Sequence, residues 1–208
     1  IPHGYVGTLE VKHEMGEVNK VLHTAAALEL GKQRVAIPVN LKLGGIRIIG
    51  KLDNLFEHGR LIISFGKQNP ARLLRAWIEH LVILSIPELQ IQLESYLVTT
   101  DKIGKFKVPS DPIQLLQTLM EYYWQGLQIA LPLFPNTSYA YASEKKKDPL
   151  EKAQEIWEGS YNKPGDREDP YFELAFRGCD PLKSDLFKNI ALTVFTPLLQ
   201  EYASNKAV

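Results

Sequence analysis

The sequence predicts a mixed α/β fold in which helices flank one mixed sheet. Three observations carry this. Apolar residues recur at helical spacing over long stretches, short β-branched runs lie between those stretches, and five Asx-Pro pairs mark helix starts. Read along the chain, the order is helix, three strands, helix, hairpin, then helices.

A first helix is expected over about residues 10–30, stopped by Gly31. RVAIPVN (34–40) reads as a strand that Pro38 confines to an edge or a bulge. IRIIGKL (46–52) and RLIISF (60–65) read as strands joined by a turn around His58-Gly59. From Pro70 to about Ser85, Leu73, Leu74, Trp77, Ile78, Leu81 and Val82 form a helical stripe. Arg75 and Glu79 pair at i,i+4 on its wet side, His80 lies at the stripe's margin, and Pro87 ends the helix. LQIQLESYLV (89–98) and KFKV (105–108) flank a tight turn at Asp101–Gly104. A helix from Pro112 to about Leu127 is lined by Ile113, Leu116, Met120, Tyr123 and Leu127. LPLFPNTSYAYA (131–142), proline-bounded and aromatic, reads as extended, and Lys145–Lys147 reads as a loop. Residues 1–208 read as one domain, with a core over about 10–142 and a helical part over about 143–208.

The five helix starts share one device. Asn69-Pro70, Asp111-Pro112, Asp148-Pro149, Asp169-Pro170 and Asp180-Pro181 each set an N-cap acceptor before a proline at the first helical position. Gln114 and Glu151 complete capping boxes with Asp111 and Asp148. Four aspartates thereby have a structural task that takes them out of the search for metal ligands.

Composition is that of an ordinary globule: 45% of residues are apolar, and 24 Lys and Arg balance 24 Asp and Glu. The balance is uneven. Between Gly31 and Ile78 nine basic residues face only Asp53 and Glu57, whereas Asp148–Asp185 holds ten acids against five bases. The lone Cys179 reads as a small, partly buried residue, and a single cysteine fits a reducing compartment. There is no run of about 18 apolar residues. The opening IPHGYVG, without a methionine, is expected of a fragment of a longer chain.

GKLDNLFEHGRLIISFGK (50–67) has the outline of a Mg²⁺-nuclease strand pair. Such a site needs at least two converging carboxylates and a cation. Alternation sets Arg47, Ile49, Lys51 and Asp53 on one face, with Asp53 as the first ligand. The next strand offers Ser64 or Phe65 where the second acid belongs, and Gly66 or Lys67 where the lysine belongs. Residues 58–78 contain no acid, and a first-helix glutamate (Glu10, Glu14 or Glu17) would add one oxygen at most. Asp53, Ser64 and Lys67 therefore read as a vestigial site, with no catalytic residue and no metal. P-loop, dinucleotide-fold, zinc-protease and Gly-x-Ser-x-Gly spacings are absent.

Two surface readings stay open from residues alone. Arg47, Lys51, Arg60, Lys67, Arg72 and Arg75 suit phosphate contact or plain solvation, and Lys102, Lys105 and Phe106 stand near the expected hairpin tip, where a wedge could part bases. The candidate DNA contacts are Arg47, Lys51, Arg60, Lys67, Lys102 and Lys105. The acidic stretch 148–185, with Trp157, Tyr161 and Tyr171, reads either as a subunit-facing surface or as core aromatics with a wet rim.

GKLDNLF, GRLIISFGK, ARLLRAWIEHLV, LPLFPNTSYAYA and AQEIWEGSYNKPGDREDPYFELAFRG together resemble the C-terminal domain of the gamma chain of bacterial exodeoxyribonuclease V, the RecC family, from Pro2-His3-Gly4 to the final helix. The resemblance implies a restriction-endonuclease-like (PD-(D/E)XK) core with a degenerate active site. It also implies membership of a cytoplasmic bacterial helicase–nuclease that processes double-strand DNA ends for recombination and repair. In that assembly the gamma chain holds the beta (RecB) and alpha (RecD) subunits, which bind ATP and Mg²⁺, and it guides the separated strands. No cofactor belongs to this domain, and a projecting element helps to split the duplex. Thr99–Lys105 and Lys42–Gly45 are its two candidates. The alternatives are an active Mg²⁺ nuclease using Asp53 and Lys67, and a protein-interaction module that touches no DNA.

Overall fold

The computed structural model describes residues 4–89 and 93–206. Of the strand read over 89–98, residues 90–92 lie outside the described residues, as does His3. In chain order the helices are α1 (Tyr5–Ala26), α2 (Pro70–Leu84), α3 (Pro112–Gly126), α4 (Pro135–Ser143), α5 (Pro149–Glu158), α6 (Pro170–Ala175) and α7 (Asp185–Glu201). The strands are β1 (Ile37–Leu43), β2 (Ile46–Leu52), β3 (Leu55–Phe56), β4 (Gly59–Ile63), β5 (Ser95–Val98), β6 (Lys102–Phe106), β7 (Gly159–Ser160), β8 (Lys163–Pro164) and β9 (Tyr202–Lys206). The fold is mixed α/β, and the largest sheet is mixed. Two compact units share the chain: Ile1–Gln68, Ile83–Val108 and Tyr202–Val208 form the first, and Asn69–Val82 with Pro109–Glu201 forms the second. Among the described residues no helix is long and apolar enough to cross a membrane.

In the first unit, the expectation of one sheet gives way to separate sheets. Among the described residues β1 and β2 pair only with each other, antiparallel, from Ile37↔Leu52 to Leu43↔Ile46. Gly44 and Gly45, at φ 53° and 84°, form the two-residue turn that closes them. β2 does not pair with β4, because the turn around His58-Gly59 joins β4 to the short β3 instead (Leu55↔Arg60, Phe56↔Gly59) and β5 takes its other edge. The five-stranded sheet runs β3-β4-β5-β6-β9, with β4 and β5 parallel and every other neighbour antiparallel. Pro38 does lie in an unpaired-edge ribbon, as its missing N–H requires.

The first helix starts earlier and stops earlier than its apolar pattern suggests. Gly4, at φ 82°, leads into α1, and the Thr8 hydroxyl donates to Gly4 O. After Ala26 the positive φ of Glu29 and Gly31 turns the chain away. Only the last turns of α1 reach a core: Val21 and Ala25 pack with Leu30, Leu61 and Val98, flanked by Phe56, Ile63 and Ile103.

In the second unit all five Asx-Pro pairs start helical turns. Asn69 accepts from Arg72 N, Asp111 from Gln114 N, Asp148 from Leu150 N, Asp169 from Tyr171 N and Asp180 from Leu182 N, at 2.9–3.1 Å. Arg75 and Glu79 pair at 3.2 Å. His80 is not at a margin but fully buried, its ring 5.7 Å from that of Trp77. The α3 stripe is mostly wet: Leu116 is buried, while Ile113, Tyr123, Trp124 and Leu127 are exposed.

Residues 131–142 are not extended throughout, because Pro135–Ser143 is helical. Phe134 at the N-cap has no side-chain acceptor, so the cap comes from far away. Asp166 takes the Thr137 N–H and hydroxyl at 2.9 Å each and the Asn136 amide at 2.7 Å. Phe134 anchors this unit's core, with the rings of Trp157, Phe172 and Phe176 at 4.4, 4.9 and 5.2 Å. α7 adds Phe187 and Ala191 to that cluster. Cys179 is exposed rather than partly buried, its Sγ 3.2 Å from Phe176 O.

Candidate nucleic-acid interface

The β1–β2 ribbon gives the first unit a two-faced element. Register and burial agree on the faces. Val39, Leu41 and Leu52 point inward, and Pro38, Asn40, Lys42, Arg47, Ile49 and Lys51 point to solvent. Lys42 sits opposite Arg47, Asn40 opposite Ile49, and Pro38 opposite Lys51. Three cations therefore share one face of a narrow ribbon around Ile49, which is 71% exposed. Arg47 Nε donates to Asn40 Oδ1 at 2.7 Å, which orients the guanidinium across the ribbon. Sequence reasoning placed Arg47 and Lys51 here but left Lys42 out of the candidate contacts. The Gly44-Gly45 pair was the available signal, since a two-residue turn fixes register and hence the face.

The structure does not gather the vestigial triad. Asp53 follows β2 directly, and its carboxylate pairs with Lys51 at 3.2 Å in solvent. Asn54 O accepts from Leu61 N at 3.0 Å, and Arg60 Nε reaches Asp53 O at 3.4 Å, so Asp53 lies beside the start of β4. Ser64, whose N–H donates to Val98 O at 2.9 Å, continues the far end of the same strand. Three residues of extended chain separate Leu61 from Ser64, about 10 Å, and the exposed Lys67 lies further on. Among the first-helix glutamates, Glu17 is already engaged by Lys20 at 2.9 Å, which holds its carboxyl below the usual range. Among the described residues no three His, Cys, Asp or Glu side chains come together as a metal site.

The remaining candidates separate by exposure. Arg60 is only 7% exposed, so its guanidinium is a buried structural group and not part of the solvent-facing set. Lys105 pairs with Glu94 at 2.7 Å and lies 5.7 Å from the Tyr96 ring centre; the Glu94 hydrogen bond raises its pKa. Lys102 follows the β5–β6 turn, which is no projecting wedge. Thr99 is fully buried there, and its hydroxyl bonds Asp101 and Lys102 O. The turn is also tied to the preceding loop: Gln68 N donates to Asp101 Oδ1 at 2.7 Å, and Thr100 N to Gly66 O at 3.2 Å. Burial works against ionisation of Asp101, but the hydrogen bonds from Gln68 and Thr99 outweigh it and lower its pKa.

Comparison with known proteins bears on the same residues. A profile of the RecC C-terminal domain matches residues 1–146. Over 179 residues the chain is 28% identical to the RecBCD enzyme subunit RecC of two Mycobacterium tuberculosis strains, CDC 1551 / Oshkosh and ATCC 25618 / H37Rv. That alignment covers 82% of this chain and 16% of each relative, so the chain spans about one-sixth of their length. With the profile matching well over half of its residues, the chain belongs to the RecC C-terminal domain family.

Proposed function

We propose that this chain is a non-catalytic, restriction-endonuclease-like domain of the gamma subunit of a RecBCD helicase–nuclease, and that it contacts and helps to separate DNA strands while partner subunits hydrolyse ATP and cut. Family membership supports the subunit assignment. The observation that carries the DNA role is the solvent face of the β1–β2 ribbon. Lys42, Arg47 and Lys51 supply sequence-independent phosphate contacts. Ile49, apolar and exposed among them, is the kind of side chain that enters between bases as a duplex opens. Lys42–Gly45 caps this ribbon and is the strand-separating element in this reading; Thr99–Lys105 is held down by its own hydrogen bonds. The non-catalytic part rests on ligand count: Asp53 pairs with Lys51 in solvent, and residues 58–78, which hold the following strand, offer no second acid. Work on double-strand ends, the RecB and RecD partners and a cytoplasmic site belong to the same proposal.

The test uses the full-length gamma chain assembled with both partner subunits. Lys42→Gln, Arg47→Gln and Lys51→Gln together should make forked-duplex binding less dependent on salt, lowering the slope of log affinity against log salt by about 2–3. An unchanged slope overturns the DNA role of the ribbon.

A further inference from the structure

α1 is longer than its support. From Thr8 to Lys20 no residue is buried, a length of about 20 Å. Gly16 and the β-branched Thr8, Val11 and Val18 weaken the helix over that span. Such a helix is marginal in water without a packed face. It does carry a face to pack. Val11, Met15, Val18 and Leu22, at intervals of four, three and four, fall on one side. Val18 is half-buried, and Val11, Met15 and Leu22 are 44%, 53% and 46% exposed. Glu10 and Glu14, one turn apart, border this stripe.

The stripe runs into a hollow. Leu22 also lines an open cleft of about 550 Å³ in the same unit, with Ala25, Phe56, Leu61 and Ile63. Stripe and cleft form one apolar track along α1 that ends against β4. Tyr5, Val6 and Leu9 add exposed apolar surface at the other end of the helix. There Gly4 stands at φ 82° and ψ −154°, a conformation that glycine alone takes readily, and it turns the incoming backbone off the helix axis. In the gamma-subunit reading the longer part of the polypeptide precedes α1: the chain matches a C-terminal domain, and the alignment covers 16% of each relative.

We propose that the stripe and the cleft dock the segment of the same polypeptide that immediately precedes Ile1 in the full-length subunit, folded as a helix antiparallel to α1. Tethering selects this occupant. A segment joined at the head of α1 meets the stripe at an effective concentration on the order of millimolar, an advantage that a partner subunit or a second copy lacks. Short connections make neighbouring helices antiparallel. Roughly 20 residues reach from Gly4 back to Leu22, so the start of the docked helix fills the cleft. Its apolar residues recur at intervals of three and four, and lysine or arginine on its flank meets Glu10 and Glu14. Carboxylates beside an apolar stripe do not suit a phosphate backbone. The inference rests on the reading of the chain as the C-terminal domain of a longer gamma subunit, and it assigns how that domain is held to the rest of its own chain.

The full-length gamma chain, without partner subunits and freed of its native cysteines, should be labelled with a maleimide as the variants Val11→Cys, Met15→Cys and Lys20→Cys. Lys20 lies on the far side of α1, with its side chain 70% exposed. We expect positions 11 and 15 to label at least about tenfold more slowly than position 20. A photo-cross-linking amino acid at position 15 should join the ~25 residues before Ile1, as mapped by mass spectrometry. If Met15→Cys melts early, Val11→Cys and the cross-link give the same reading. Equal labelling at all three positions overturns the proposal. So does a cross-link to a second copy or to a distant part of the chain, and so does protection that appears only when the beta or alpha subunit is added. Assembly with both partner subunits is measured on the same parent chain. A parent that assembles leaves the subunit reading standing whatever the label shows; one that does not overturns that reading, and the cross-link still decides the docking.

Discussion

Single residues in this protein are constrained by what lies opposite them. Gly104 on β6 is the sharpest case: a Cβ there would run into the ring of Tyr202, its register neighbour but one on β9. The Tyr202 hydroxyl is itself bonded to Gln68, and its ring stacks 4.8 Å from Phe106, so it has little room to retreat. Gly104→Ala should cost about 1–3 kcal/mol by overpacking, read as a lower urea midpoint, and Tyr202→Ala in the same chain should recover part of that loss. Asp53 sits at the opposite extreme, exposed and paired only with Lys51. The full-length chain without its partners should leave forked DNA intact in Mg²⁺ or Mn²⁺, as judged by gel. Cleavage that Asp53→Ala abolishes would establish the rival reading, an active nuclease. The missing acid was legible in the sequence, because residues 58–78 contain none. The placement of Asp53 beside the start of β4 and of Ser64 past its far end was not, because it depends on which strand pairs with which.

At the scale of the element, local signals read well and borrowed ones do not. Each Asx-Pro start carries acceptor and proline side by side, so the helix is written where it begins. α4 begins at Phe134-Pro135 without an acceptor, and its cap, Asp166, arrives about thirty residues later. That separation hid the helix. Asp166→Ala should lose three hydrogen bonds at once and cost about 1–3 kcal/mol, measured as a fall in thermal midpoint, with Asp166→Asn costing less. The α3 stripe misled in the opposite way: its spacing is helical and the helix forms, but periodicity does not say whether a face is covered. β2 was legible at its bounds, while β1, read over 34–40, forms three residues later over Ile37–Leu43; the Gly44-Gly45 turn that pairs them carries the information that the strand runs alone lack.

For the whole molecule, class and the order of the longer elements through α3 followed from pattern; β3, α4, the β7–β8 hairpin, β9 and the partition did not. The first unit gathers three separated stretches of chain, a long-range choice that no local spacing encodes. The charge division follows the same partition, with the basic excess in the unit that holds the ribbon and the acidic excess in the other. β9 is the last of the three stretches, entered from α7 without a connecting loop. Deleting Tyr202–Lys206 from the full-length chain should leave β6 an open edge carrying Ile103 and Phe106, and light scattering should record association that the parent lacks.

That late strand also sets a timetable for synthesis. β6 leaves the ribosome with Phe106, but the strand that flanks it is not made until Tyr202. At about 5–20 residues per second the sheet waits on the order of 5–20 seconds with one side bare. A nascent chain held that long with an unpaired edge is a natural client for a chaperone, and slowing translation between the two strands would lengthen its period of risk.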